Sequence, residues 1–576
     1  MDRTAWIAVS LCVIALVAWE VYVTRQVQPR PVQQTALSSP VASVAPGAVP
    51  SPAALEGSNP TPPAPTPAAN FAEHTETLSN NDVELRLTNR GGAISEILLR
   101  NHTAEIDQRV VLNAGQRVPI GAIMTDPSSA ELPEFTTVPG ANGLVQFHRT
   151  TPENVEIRKT FGFVQTTDKK DNFSYDMDVE FRNAGTTVYN QSPYFVTLGA
   201  AKPVHPTDIS SFTNLAWCVD GKAGSIDVNW FAASNGLFGL QKRPAREVYQ
   251  GKVANAEWAG VTNQFFATLV VPTNAKAEEV WGTRRELHQA DGTSLPAVEG
   301  ALRMPGFALQ PGQTANVHFQ IFGGPKLYNR LAQLGHNEAE IMNFGILKLV
   351  SQALLNFMNL LHQYLGSYAA AVIALTTIVN LALWPLRTKG NNSMRRMSAL
   401  SPKMQELKVK YKDDPQRMNQ EVMKMYKQYG VNPVGGCLPM LIQIPIFWGL
   451  FTMLRQAVEL RNATFFWVKD LSQPDTIAHL PIMNWPVNIL PLIMAATSFW
   501  MTRLTPKTGD PTQQRMMMFT PLIFVFFCYN FAAALALYYT TQNLFMIMQL
   551  YQSRKQPVPV LEKTSAPGKK SSGKRR

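Results

Sequence analysis

Five apolar runs lie within Ser367–Leu550, and their lipid-length centres carry no charged side chain. The first is SYAAAVIALTTIVNLALWPL (Ser367–Leu386), the second CLPMLIQIPIFWGLFTML (Cys437–Leu454) and the third VNILPLIMAATSFW (Val487–Trp500). Between Met516 and Ser553 there is no Asp, Glu, Lys or Arg, a length that accommodates two short spans turning near Tyr529–Ala532. About twenty apolar residues cross a bilayer, and a helix does so because it satisfies its own backbone. Aqueous proteins bury apolar helices too, but not five in one region. The pattern predicts a polytopic membrane protein.

The charge map orients it. The 576-residue chain, too long for one domain, carries +11. Arg387–Gly430 holds eleven Lys/Arg against four Asp/Glu, and Tyr551–Arg576 holds eight against one. The rest of the chain is therefore slightly acidic. Basic loops stay on the cytoplasmic side, so both segments are expected in the cytosol and the domain before Ser367 on the opposite side. The cysteines are Cys12, Cys218, Cys437 and Cys528. Three fall in expected spans, which implies no disulfide framework.

Upstream, residues 1–27 read as an uncleaved signal anchor, since no small-x-small cleavage site follows the apolar core of Ala5–Val23. Residues 28–70 hold eleven prolines among Ala, Ser and Thr, the composition of an extended disordered linker. Residues 71–325 read as an all-β sandwich, on the far side of the membrane by the charge argument. Val83–Leu99 alternates, breaks at Arg90-Gly91-Gly92 and resumes, and Tyr175–Gly185, Asn263–Pro272 and Ala315–Phe322 alternate likewise. Its His and acidic residues have no metal-ligand or catalytic spacing, so a scaffold role is favoured over sugar binding or catalysis.

Residues 341–366 predict an amphipathic helix in the outer interface. Lys348, Gln352, Asn356, Asn359 and Gln363 mark one side, and Ile346, Leu349, Leu354, Phe357, Leu361 and Leu365 the other. The insertion at 387–430 predicts a cytosolic helical hairpin of coiled-coil type. Met397, Leu400, Met404, Leu407 and Tyr411 form one seam, and Met418, Val422, Met425 and Tyr429 the other, across an Asp-Asp-Pro turn. Its methionines offer a deformable contact surface. Residues 551–576 form a basic tail.

The spans themselves contain polar groups. Thr376 and Asn380 lie four apart on one face, Gln443 sits between Pro439 and Pro445, and the last span carries Tyr538 to Asn543 in a row. Polar groups at bilayer depth are costly unless paired or wetted. So many in a small bundle imply a hydrated inner cavity. A solute transporter is disfavoured by the lack of an inverted repeat or an intramembrane carboxylate. An enzyme is disfavoured because the spans hold no nucleophile–base pair or metal set.

These residues resemble a known family. VNPVGGCLPMLIQIPIFWGLF (Val431–Phe451), TIVNLALWPL before the basic hairpin, and LALYYTTQNL (Leu535–Leu544) are similar to the YidC/Oxa/Alb membrane protein insertases over Ile341–Tyr551. The anchor, the linker and a β domain ending in FGGPK (Phe322–Lys326) resemble its Gram-negative branch. The resemblance implies an inner-membrane insertase and foldase without ATPase activity, cofactor, metal or small-molecule substrate. Its fold would be membrane α-helical, an N-terminal anchor plus a five-helix core at 367–550. Those helices would enclose a hydrophilic groove open to cytosol and lipid. Thr376, Gln443, Phe447, Met494, Phe527 and Tyr539 carry over as groove lining or contacts to nascent membrane proteins. The hairpin would recruit or gate substrates, the tail and hairpin would touch the ribosome, and the β domain with the anchor would meet the Sec translocon. One position departs. The family usually has an arginine in the groove where this chain has Asn380. Arg387 follows seven residues later, about 10 Å along a helix, and is expected at the cytosolic rim. Hydration rather than a buried charge is then the expected aid to polar segments, and arginine at position 380 is expected to be tolerated.

Overall fold

The computed structural model describes residues 71–105, 108–140, 143–164, 172–233, 243–288, 294–431, 433–480, 485–506 and 511–556. The anchor, the linker and all but the start of the basic tail lie outside them. The chain divides into two compact units after Ile341.

The first unit is β. A nine-stranded antiparallel sheet runs in the order Lys222–Asp227, Asn214–Val219, Trp258–Thr262, Phe266–Pro272, Thr314–Pro325, Ser174–Asn183, Val155–Phe163, Val145–Thr150 and Thr136–Pro139. Alternation explains why these segments pair. Tyr175, Met177, Val179 and Phe181 turn inward, each at most 1% exposed, as period-2 patterning dictates. A five-stranded sheet, ordered Val248–Ala256, Ala277–His288, Ser294–Met304, Tyr194–Ala201 and Ile123–Met124, packs on this one. The two approach closely where Leu215 sits against Gly282 and Gly300, since a Cβ on either glycine would lie under 3 Å from a Leu215 methyl. The break at Arg90-Gly91-Gly92 is a hairpin turn between Val83–Thr88 and Ala93–Glu105, with both glycines at positive φ. The sequence motifs read as strands are strands.

Two lysines are sealed inside this unit. Lys159 donates from Nζ to the carbonyls of Gly91 (2.8 Å) and Gly121 (2.9 Å) and lies over the Phe135 ring. Lys326 is 1% exposed. Burial pushes both ammonium groups down to about 7.

The second unit is helical. An 18-residue helix α1 (Lys348–Leu365) ends at Gly366, whose left-handed φ of 68° closes its last turn. Ser367 then caps α2 (Tyr368–Ala399), accepting from the Ala370 amide. The first apolar run therefore continues unbroken into the hairpin, 32 residues or about 48 Å. After α3 (Ser401–Lys410), Asp414 caps α4 (Pro415–Gln428) by accepting from the Arg417 amide at 3.0 Å. Leu400, Met425, Tyr426 and Val431 form the hairpin core, with Met397, Met404, Leu407, Val422 and Tyr429 packed around it. Met418 stays outside that cluster, and Tyr426, on neither expected seam, joins it.

The remaining apolar runs form α5 (Pro433–Leu454), α6 (Ile489–Leu504), α7 (Pro511–Cys528) and α8 (Ala533–Arg554). Of the described helices, α2 alone is both long and apolar enough to cross a membrane by composition, and shorter apolar stretches lie at Gln443–Leu454, Ile489–Leu504 and Met518–Cys528. Helix α7 starts before the apolar run does, so its eighteen residues exceed the fourteen expected from hydropathy. At one end of the bundle, Asp475 accepts from the Leu490 amide at the start of α6, and Asn488 donates to the Tyr529 carbonyl in the turn before α8. Helix α1 packs on α5 at Gly449, where Ser351 Oγ donates to the Gly449 carbonyl at 3.0 Å. Its buried residues, Ser351, Leu355 and Met358, lie between the two faces assigned from periodicity. Ile346, Leu349 and Tyr364 are left over 70% exposed. The polarity pattern missed the helix's narrow protein-facing strip.

Candidate functional site

Helices α2, α5, α6, α7 and α8 contain no Asp or Glu, yet polar side chains from three of them converge. On α2, Thr376 and Asn380 share a face because they are four residues apart. Thr376 Oγ1 donates back to the Val372 carbonyl at 2.7 Å, and Asn380 Nδ2 to the Thr376 carbonyl at 2.6 Å. Both side chains are buried. Asn380 Oδ1 is thereby left facing along the helix as an acceptor.

That acceptor is filled by Arg387, and here the structure corrects the sequence reading. That reading set Arg387 about 10 Å along the helix from Asn380, whereas its guanidinium meets Asn380 directly. The residue is 4% exposed, with Nη1 donating to Asn380 Oδ1 and Nη2 to Gln443 Oε1. The reason is geometric. Seven residues make nearly two full turns, so the two share a face, and helical side chains lean toward the N-terminus. A long arginine stem thus carries its guanidinium back toward Asn380. A rise counted between Cα atoms omits that reach.

Gln443 on α5 relays the network. Its Nε2 lies 3.2 Å from the Tyr538 hydroxyl and 3.3 Å from Gln542 Oε1, both on α8. The cluster Asn380–Arg387–Gln443–Tyr538–Gln542 therefore joins three helices through neutral partners around one cation. Gln443 and Gln542 are half-buried, while Asn380, Arg387 and Tyr538 are buried. The cluster is held together by side-chain hydrogen bonds, and Gln443 and Gln542 are its more exposed members.

Beside it stands an aromatic wall. Phe447 meets Tyr539 at 5.4 Å between ring centroids, and Phe524 from α7 meets Tyr539 at 4.6 Å. The first pair is edge-on and the second tilted, offset geometries that aromatic rings favour. Phe447 and Tyr539 are half-buried, one surface packed and one available.

The other expected lining residues lie elsewhere. Met494 is 1% exposed on α6, and its carbonyl accepts from Asn543 Nδ2, which also reaches Thr497 Oγ1 (3.1 Å) and Ser498 Oγ (2.7 Å). It belongs to a polar clasp between α6 and α8. Phe527 is 68% exposed and packs edge-on with Phe526. Thr376 stands behind Asn380. Sequence reasoning missed Phe524 and Arg387 as parts of the site. The seven-residue spacing from Asn380 was the available signal for the arginine. Among the described residues no group of His, Cys, Asp and Glu is arranged to hold a metal.

Comparison with known proteins follows the same division. Residues 76–357 match the family described as the YidC periplasmic domain, and residues 360–558 match the 60Kd inner membrane protein family. A membrane protein insertase YidC from Syntrophus aciditrophicus is 29% identical, covering 96% of this chain and all of its relative. Another, from Cupriavidus necator, is 30% identical over 89% of this chain and 87% of the relative. A crystal structure of an active YidC insertase with its first transmembrane domain resolved is 19% identical, covers 84% of this chain and 94% of that one, and superposes with a TM-score of 0.34. This chain belongs to the YidC family of membrane protein insertases, inner-membrane proteins with a periplasmic domain that are not enzymes.

Proposed function

We propose that the chain inserts and helps fold inner-membrane proteins through a groove floored by the Asn380–Arg387–Gln443–Tyr538–Gln542 cluster and walled by Phe447 and Tyr539. The observation that carries this reading is a polar, hydrogen-bonded cluster on helices otherwise free of acidic charge, next to half-exposed aromatic rings. Carrying a bare polar segment through hydrocarbon costs several kcal/mol for each unsatisfied group. A groove that offers donors and acceptors, and admits water at its mouth, lowers that cost. The client's apolar helix then leaves along the Phe447/Tyr539 side into lipid, favoured by roughly 25 cal/mol per Å² of apolar surface removed from water.

In this reading the anchor (1–27) and the helices of 367–550 span the inner membrane, with both termini cytoplasmic and 71–325 periplasmic on its linker (28–70). The exposed apolar residues of 341–366 lie in the outer leaflet interface. The hairpin 387–430 guides nascent chains, its Met-rich seam yielding to different clients. The basic tail and the hairpin's Lys/Arg face the ribosome, a contact that should weaken as salt rises. The β domain and anchor serve as the contact to the Sec translocon. Phe527 and Met494 are assigned to the lipid-facing flank and the supporting shell of the groove respectively.

Depletion tests the function. Cells depleted of the protein should fail to insert small two-span inner-membrane proteins and recover on re-expression. Normal insertion under depletion would overturn the reading.

A further inference from the structure

Asn359 on α1 and Glu459, in the connection that follows α5, share one hydrogen bond and lack a second. Asn359 Nδ2 donates to Glu459 Oε1 at 3.1 Å. Both residues are half-buried, yet their other oxygens, Asn359 Oδ1 and Glu459 Oε2, are sealed from solvent and receive no donor among the described residues. No cation answers the carboxyl either. Arg455, four residues upstream, lays its guanidinium over the Phe451 and Phe531 rings, and neither it nor Arg461 is among the groups that act on Glu459. The titratable side chain facing it is Tyr368, at the start of α2, whose ring stacks on His362 of α1 at 3.7 Å between centroids.

An ionised carboxylate only accepts hydrogen bonds. In that form Glu459 would bury a charge without a counter-ion and leave two sealed oxygens without a partner, and both are costly. A single proton removes all three defects at once. A protonated carboxyl is a donor through one oxygen and an acceptor through the other, which complements the acceptor and donor of a carboxamide. Burial already holds this carboxyl, which lies outside the spans, above its ordinary value.

We propose that Glu459 is a proton site: Oε2–H donates to Asn359 Oδ1 while Asn359 Nδ2 donates to Oε1, a cyclic acid–amide pair that pins α1 beside the end of α5. Ser351 fastens the first half of α1 to Gly449, and this pair fastens the second half. Both fastenings are neutral, so α1 seats without burying a charge. Lifting α1 exposes Glu459, which then ionises around its ordinary 4.5. The seated form therefore holds one proton more than the lifted form. Seating weakens as pH rises above that value, by roughly tenfold per pH unit in the opening equilibrium, until the seated carboxyl itself ionises.

The test uses the full chain in lipid nanodiscs. Infrared difference spectra at about pH 7, wild type minus Glu459→Gln, should show the C=O stretch of a protonated carboxyl above the amide I band. Hydrogen-exchange protection factors, which divide out the intrinsic pH dependence of exchange, report seating of α1. In the wild type, protection of the second half of α1 should fall roughly tenfold per pH unit from about pH 5 to 7. Glu459→Gln presents the same donor and acceptor with no proton to lose, so α1 should stay protected and lose this dependence. His362 and Tyr368 are present in both proteins, and their contribution cancels in the comparison. Asn359→Leu should lower protection of α1 and shift the carboxyl band upward, because the acid keeps its proton and loses its partner. This variant decides if Glu459→Gln does not accumulate: a shifted band supports the pair, and an unshifted or missing band overturns it. A water or an ion between the oxygens of an ionised Glu459 gives no carboxyl band, and that result overturns the proposal. Equal pH slopes in wild type and Glu459→Gln overturn it as well.

Discussion

Replacing Lys159 by Met should halve the dependence of β-domain stability on pH just above neutrality. Lys159 and Lys326 are fully enclosed, and burial lowers both from the ordinary 10.5 to about 7. At pH 8 the native unit therefore holds both amines largely neutral, while the unfolded chain binds two protons more. Stability then rises with pH, because the unfolded state is the one that must give up protons. The slope is roughly 1.2 kcal/mol per pH unit for each lysine, or about 2.5 for the pair. The gain starts near pH 7, continues toward 10.5, and is absent below 7, where both states are protonated. The window pH 7.5–8.3 avoids Cys218, whose thiol burial pushes up to about 12 and which would begin to oppose the trend near pH 9. Cys218 is itself the reporter, being fully buried on the strand Asn214–Val219. Pulsed maleimide labelling across a urea series, read on the Cys218 peptide by mass spectrometry, gives the unfolding free energy of this unit in the full chain. Lys159→Met should leave a slope of roughly 1.2 kcal/mol per pH unit. It should also cost stability outright, since the Gly91 and Gly121 carbonyls lose their donor. A wild-type slope near zero would refute the claim that these amines are neutral in the fold.

The helical unit yields three shorter predictions. Gly449→Val should loosen α1 from α5, because a Cβ there would stand 2.7 Å from Val350 Cγ1; the cost is about 1–3 kcal/mol, seen as a lower unfolding temperature in detergent and faster hydrogen exchange in α1. Asn543→Leu removes the clasp to Thr497 and Ser498 and should cost about 0.6–1.7 kcal/mol, measured by equilibrium unfolding in mixed micelles. Asp414→Ala removes the cap of α4 and should cost about 1 kcal/mol of local stability, read as faster exchange of α4 amides with α8 unchanged.

The sequence was most legible where one periodicity governs one element. Tyr175–Phe181 alternates because one face is core, and the hairpin seam from Met397 to Tyr429 repeats every three or four residues because both helices bury one stripe. The apolar runs located the helices of the second unit, yet not their ends. Helix α2 passes straight from apolar run to hairpin, since a continuous hydrogen-bonded helix has no reason to stop where polarity changes. Side-chain direction was the least legible feature. Arg387 was placed by its Cα, whereas its guanidinium lies with Asn380. Met494 and Phe447 are both apolar residues mid-helix, and only the packing of the helices buries the first and leaves the second half-exposed. Nor does composition show that Lys159 and Lys326 are sealed, because a lysine in a strand, or just past the end of one, ordinarily faces water.

Photocrosslinkers placed singly at Gln443, Phe447 and Tyr539, with Met494 as a buried comparison, would probe the groove against a ribosome-stalled inner-membrane protein. Adducts to the nascent chain from the first three positions, and few from Met494, are the expected result. Labelling from none of the three, or equal labelling from Met494, would mean that the polar cluster and its aromatic wall do not receive the client.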